Sequence, residues 1–124
     1  MVRGFLRHHT APMQNAFWRQ KMKSKYHAIP TIVDGWRFDS RLESRYYQQL
    51  KLRQKAGDLK FFLRQVPLHL IGKTKLVVDF VIFENDGTTR FVDTKGVMTA
   101  MAKLKIRQAE ELYPIKIEIV KNAK

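Results

Sequence analysis

A chain of 124 residues is long enough for one compact domain and too short for two ordinary ones. Its 24 Lys and Arg against 11 Asp and Glu give a formal net charge of +13, so a polyanion is the first partner to consider. The lack of cysteine excludes disulfides and thiolate metal sites. No apolar run approaches the roughly 20 residues that span a bilayer, and the N-terminus lacks a signal-peptide core. A cytoplasmic location and no membrane partner are therefore expected.

Residues 1–33 hold six basic residues and no acid: Arg3, Arg7, Arg19, Lys21, Lys23 and Lys25, with Phe5, Phe17, Trp18 and Tyr26 among them. Cations interleaved with aromatics suit phosphate contact plus base or sugar packing. Residues 1–27 are thus read as a basic N-terminal arm in which Arg19, Lys21, Lys23 and Lys25 contact nucleic acid. A flexible tail, or an arm packing on a second subunit, is the alternative. His8 and His9 are adjacent and are not read as a metal pair.

A single domain is expected over residues 28–124. Thr31–Phe38 reads as a hairpin, because Asp34-Gly35 favours a tight primed turn. Asp39 or Ser40 caps a helix that runs to about Ala56 and ends at Gly57. Residues 59–71 read as a strand, with Pro67 marking an edge or a bulge. Two strands flank Gly87. A second helix starts near Thr99 and stops before Pro114, and Ile115–Val120 alternates as a last strand.

The stretch from Leu76 to Gly96 carries the chemistry. Asp79 interrupts the apolar run Leu76–Phe83, and Asp93-Thr94-Lys95 follows the next turn. A carboxylate in such a strand is costly unless it is paired, hydrogen-bonded or bound to metal. A three-residue loop, Asn85-Asp86-Gly87, pairs Glu84 with Thr88 and so sets Asp79 opposite Asp93, with Lys95 on the same face. A two-residue loop, Asp86-Gly87, splits the acids across faces; the three-residue loop is preferred because it resolves the charge problem. Two acids and a lysine brought together suit metal-assisted hydrolysis. A cross-strand salt-bridge cluster is the competing reading.

Glu43 falls within the apolar arc of the first helix, set by Leu42, Tyr46, Tyr47 and Leu50. It is either a functional acid aimed at the same cleft or the glutamate of a Ser40-x-x-Glu43 capping box. Gln65 is a possible auxiliary residue, and ordinary strand polarity explains it equally well. Lys105 lies in the apolar arc of the second helix. With Lys103 it is a candidate DNA contact, snorkelling to water being the alternative. His69 is read as a half-buried strand residue, Asp86 as a turn residue, and Glu110 and Glu111 as a solvated helix face.

Glu43, Asp79 and Asp93-Thr94-Lys95, spread over helix–strand–strand–strand–helix–strand, resemble the PD-(D/E)xK nuclease superfamily over roughly residues 39–120. More narrowly the chain resembles the phage endonuclease I and Holliday junction resolvase branch. It is also similar to small phage proteins with the pattern seen here as Lys25-Tyr26-His27, Asp34-Gly35, Phe38-Asp39-Ser40 and Glu43. The resemblance implies an α/β fold with a restriction-endonuclease-like core: a helix, three strands, a helix and a strand, around a mixed central sheet with a basic N-terminal extension.

It further implies a homodimeric, Mg²⁺-dependent endodeoxyribonuclease, Mn²⁺ substituting, that cuts branched DNA such as four-way junctions. Asp79, Asp93 and the Thr94 carbonyl are the implied metal ligands, with Glu43 contributing through water or at a second ion. Lys95 orients the attacking water or stabilises charge on phosphorus. A same-fold nuclease for unbranched DNA, of transposase-end or restriction type, and a catalytically idle nucleic-acid-binding protein are the alternatives. For a phage protein the location is the host cytoplasm.

Overall fold

The computed structural model describes residues 30–122. The chain divides into two compact units between Arg45 and Tyr46.

In the first unit, strands β1 (Thr31–Val33) and β2 (Trp36–Phe38) form an antiparallel hairpin. Asp34 and Gly35 have φ of +55° and +80°, the pair of positive angles that a type I′ turn requires. Helix α1 (Arg41–Lys55) begins here. Ser40 Oγ accepts from the Glu43 N–H at 3.1 Å, and Glu43 Oε1 accepts from the Asp39 N–H at 3.4 Å. Two amides of the helix entry are thereby satisfied by side chains, the reciprocal logic of a capping box.

The second unit holds the remainder of α1, strand β3 (Leu59–His69), a single 3₁₀ turn (Ile71–Lys73), β4 (Lys75–Glu84), β5 (Thr89–Thr94), helix α2 (Ala100–Leu112) and β6 (Ile117–Val120). Helix α1 ends in a Schellman motif. The Asp58 N–H donates to the Arg53 carbonyl, the Gly57 N–H to that of Gln54, and Gly57 takes φ +82°. The protein is a mixed α/β structure. Its four-stranded sheet has the order β3-β4-β5-β6, antiparallel except for the parallel pair β5–β6, which α2 connects.

Helix α1 packs on the β3–β4 ribbon through its tyrosines. Tyr46 meets Phe80 with ring centroids 5.4 Å apart, and Tyr47 meets Phe62 edge-on at 5.8 Å. Helix α2 is capped by Thr99 Oγ1, which accepts from the Ala102 N–H. Its buried Ala109 joins Leu70, Leu76, Val78 and Ile117 in a second apolar cluster. Two elements depart from expectation. Strand β3 is not interrupted at Pro67, which pairs with Val77, while the edge position expected of a proline holds, since β3 is the outermost strand of the sheet. Strand β6 starts at Ile117 rather than Ile115, because Tyr113 and Pro114 must first leave the helix.

Candidate active site

The β4–β5 loop is the three-residue one. The Glu84 N–H donates to the Thr88 carbonyl, the Gly87 N–H returns to Glu84, and Gly87 takes φ +93°. Asp86 holds the turn by accepting from both the N–H and the hydroxyl of Thr88; these bonds pull its carboxyl below the usual range. Counting from the loop, the paired register runs from Phe83↔Thr89 to Phe80↔Val92. The next residues across from each other are Asp79 and Asp93, where the ladder ends.

At this fork the aspartates replace main-chain partners. Asp93 Oδ1 accepts from the Asp79 N–H at 3.2 Å. Asp79 Oδ2 accepts from the Thr94 N–H at 2.9 Å and from its hydroxyl at 2.7 Å. A continued antiparallel ladder would give that Thr94 N–H to Val78. Each carboxylate therefore reaches across to the opposite strand. Lys95 carries the β5–β6 pairing one step further through its N–H to Val120, and its Nζ lies 3.1 Å from Asp93 Oδ2. Gln65, on β3 across from Asp79, donates from Nε2 to Asp79 Oδ1 at 3.3 Å.

Burial separates the two acids. Asp93 is 1% exposed, whereas Asp79 is half-buried. Asp93 Oδ2 is buried without a hydrogen-bond partner: the Lys95 ammonium is close enough for an ion pair but not aligned as a donor. The Lys95 ammonium gives this buried oxygen one compensating positive charge without filling its hydrogen-bonding capacity. A divalent cation shared with Asp79 fits the donor set, since hard oxygen ligands suit magnesium and manganese. Among the described residues no three His, Cys, Asp or Glu side chains converge as a ready metal cluster. At the fork the second unit brings two carboxylates together, those of Asp79 and Asp93.

Residues 23–124 match the family model DUF1064, a protein of unknown function. The chain belongs to the DUF1064 family. Comparison with curated proteins and with solved structures gave no match.

In this DUF1064 chain the other candidate residues are distributed as follows. Glu43 lies in the first unit, buried, with one oxygen on the Asp39 amide. Lys103 is exposed and Lys105 half-buried on α2. Arg19, Lys21, Lys23 and Lys25, with His8 and His9, lie outside the described residues. His69 is exposed rather than half-buried, and its carbonyl accepts from the Tyr113 hydroxyl. Glu110 is not simply a solvated face: it is half-buried and accepts from the Ile117 N–H at 2.8 Å, capping the start of β6.

One cluster went unread in the sequence. Glu84 takes Arg53 at 2.8 Å and Arg90 at 2.9 Å, while Arg90 grips Glu118 with two bonds of 2.9 and 2.7 Å. The bond to Arg53, then that to Arg90, lowers the Glu84 carboxyl, and Arg90 lowers Glu118. Burial raises the Tyr46 hydroxyl, against the opposing pull of Arg90. Four charges on α1, β4, β5 and β6 are tied by bidentate geometry, which no periodicity reveals.

Proposed function

We propose that this protein is a metal-dependent endodeoxyribonuclease with a restriction-endonuclease-like core, acting on branched DNA and foremost on four-way junctions as a homodimer. The observation that carries the reading is the fork. Two aspartates from neighbouring strands converge at the end of a ladder, and the more buried one keeps an oxygen without a donor beside a lysine. The net charge of +13 supplies the attraction to a nucleic-acid backbone.

In this reading Asp79 and Asp93 would hold the cation, with the Thr94 carbonyl as a third oxygen. A bound Mg²⁺ or Mn²⁺ supplies Lewis-acid polarisation of the phosphodiester and an activated water. The Thr94 amide and hydroxyl fix the orientation of Asp79. Lys95 sits beside Asp93 and presents its ammonium to the reacting phosphate, where it orients the water and stabilises developing charge. Two carboxylates at its side disfavour service as a base. Lys103 and Lys105, together with the basic arm, grip the DNA backbone.

A second reading has its own support. The aspartates' cross-strand hydrogen bonds and the Lys95–Asp93 pair also suit a structural strap, and Glu43 is engaged in capping. That reading leaves a nucleic-acid-binding protein without catalysis. The test uses purified full-length protein with Mg²⁺ and labelled four-way junction, matched linear duplex and single strands. Paired nicks near the branch are expected. Equal cutting of duplex indicates a same-fold nuclease for unbranched DNA, and binding without cutting in Mg²⁺ or Mn²⁺ favours the strap.

A further inference from the structure

Three non-glycine residues among those described have positive φ: Asp34, Gln65 and Lys73. Asp34 is in the β1–β2 turn and Lys73 in the 3₁₀ turn before β4, places where chains reverse. Gln65 is different. It lies inside the eleven-residue strand β3 with φ +52°. The left-handed region crowds the Cβ of any L-residue. Glutamine also lacks the short side chain by which Asn or Asp eases that conformation.

The distortion inserts nothing. Arg64↔Phe80 and Val66↔Val78 flank it in one unbroken register, so a single residue is turned over in place. The residue across from it is Asp79, and its Nε2 donates to Asp79 Oδ1. The other Asp79 oxygen receives the amide and hydroxyl of Thr94. Donors on both neighbouring strands therefore hold the two oxygens of this carboxylate, and these three, the Gln65 amide and the Thr94 amide and hydroxyl, are neutral. Neutrality matters at a cation site. An arginine or lysine at position 65 would orient Asp79 equally well but would cancel the charge a divalent ion must find there. An amide orients without neutralising.

We infer that Gln65 is the positioning residue for Asp79, and that its left-handed backbone is the strain the fold bears to aim it. Persistent backbone strain at such a place is characteristic of functional sites. The inference rests on the reading of the fork as a divalent-cation site.

The test compares wild type, Gln65→Gly, Gln65→Ala and Asp79→Asn. Binding of Mn²⁺ alone is followed by titration calorimetry, and thermal melting is followed in EDTA. Both Gln65 variants should raise the Mn²⁺ dissociation constant about tenfold, as loss of an orienting partner does. The glycine variant, freed of the strain, should melt at or above wild type, while alanine should not melt above it. Nicking should need more Mn²⁺ in both and recover when metal saturates. Unchanged Mn²⁺ affinity in both variants overturns the positioning role, and a glycine variant melting below wild type overturns the strain. Wild type that binds Mn²⁺ no better than Asp79→Asn defeats the metal site itself, a result distinct from either.

Discussion

Replacing Asp93 by asparagine separates a catalytic fork from a structural strap. The Asp93 carboxylate is 1% exposed and has one main-chain donor, the Asp79 N–H at 3.2 Å, and one cation, Lys95 at 3.1 Å. The lysine side chain is 29% exposed. With Asp93 buried and the lysine mostly so, the pair attracts more strongly than a surface ion pair does. Desolvation of the buried charge opposes this by several kcal/mol. In Asp93→Asn the amide oxygen still accepts from Asp79, the charge penalty disappears, and Lys95 is free to turn to water. Without metal the variant should unfold in urea with a free energy equal to wild type or up to about 2 kcal/mol above it. With Mn²⁺ at ten times its dissociation constant, wild type should gain about 1.4 kcal/mol and the variant nothing. Nicking should disappear. A variant destabilised by more than about 2 kcal/mol in EDTA would show that the carboxylate is held for structure and would refute the metal reading of Asp93.

Lys95→Ala should cut at least about 100-fold more slowly while binding Mn²⁺ within about threefold of wild type; equal losses in both would make Lys95 a part of metal binding. Arg90→Ala breaks the bonds to Glu84 and Glu118 and should cost roughly 1–2 kcal/mol in urea unfolding. Both carboxyls are lowered in the folded protein, so their contribution is present above about pH 4.5 and is lost as pH falls below it. The Arg90 variant should therefore lose less stability than wild type between pH 5 and pH 3, and parallel acid curves would contradict the network. Gly87→Val forces a β-branched residue to φ +93° in open space, so strain alone should lower stability by about 1–2 kcal/mol without abolishing the fold. Changing Lys21, Lys23 and Lys25 together to alanine should lower the salt slope of DNA binding by about 2–3, and an unchanged slope would assign the arm elsewhere.

The parts of the fold governed by local chemistry were readable in the sequence. Asp34-Gly35 specified its primed turn and Gly57 the helix stop, and the second helix starts beside Thr99 as its position suggested. Gly87 set the loop length, and with it the placement of Asp79 across from Asp93. Pro67 misled only in part: it marks the outermost strand, but the irregularity stands two residues earlier at Gln65. That distortion is invisible in sequence because glutamine does not favour positive φ. The Glu84–Arg90–Glu118 chain and the Glu110 cap were hidden for a related reason: their partners are distant in sequence and meet only once the sheet is assembled. Glu43 was ambiguous between capping and function, and the capping bonds are now seen.

The most direct measurement is anomalous diffraction at the manganese edge from crystals grown with Mn²⁺. A peak within coordination distance of both the Asp79 and the Asp93 carboxylates is predicted, absent from Asp79→Asn crystals. A fork without manganese, in crystals that hold it elsewhere on the protein, would contradict the account.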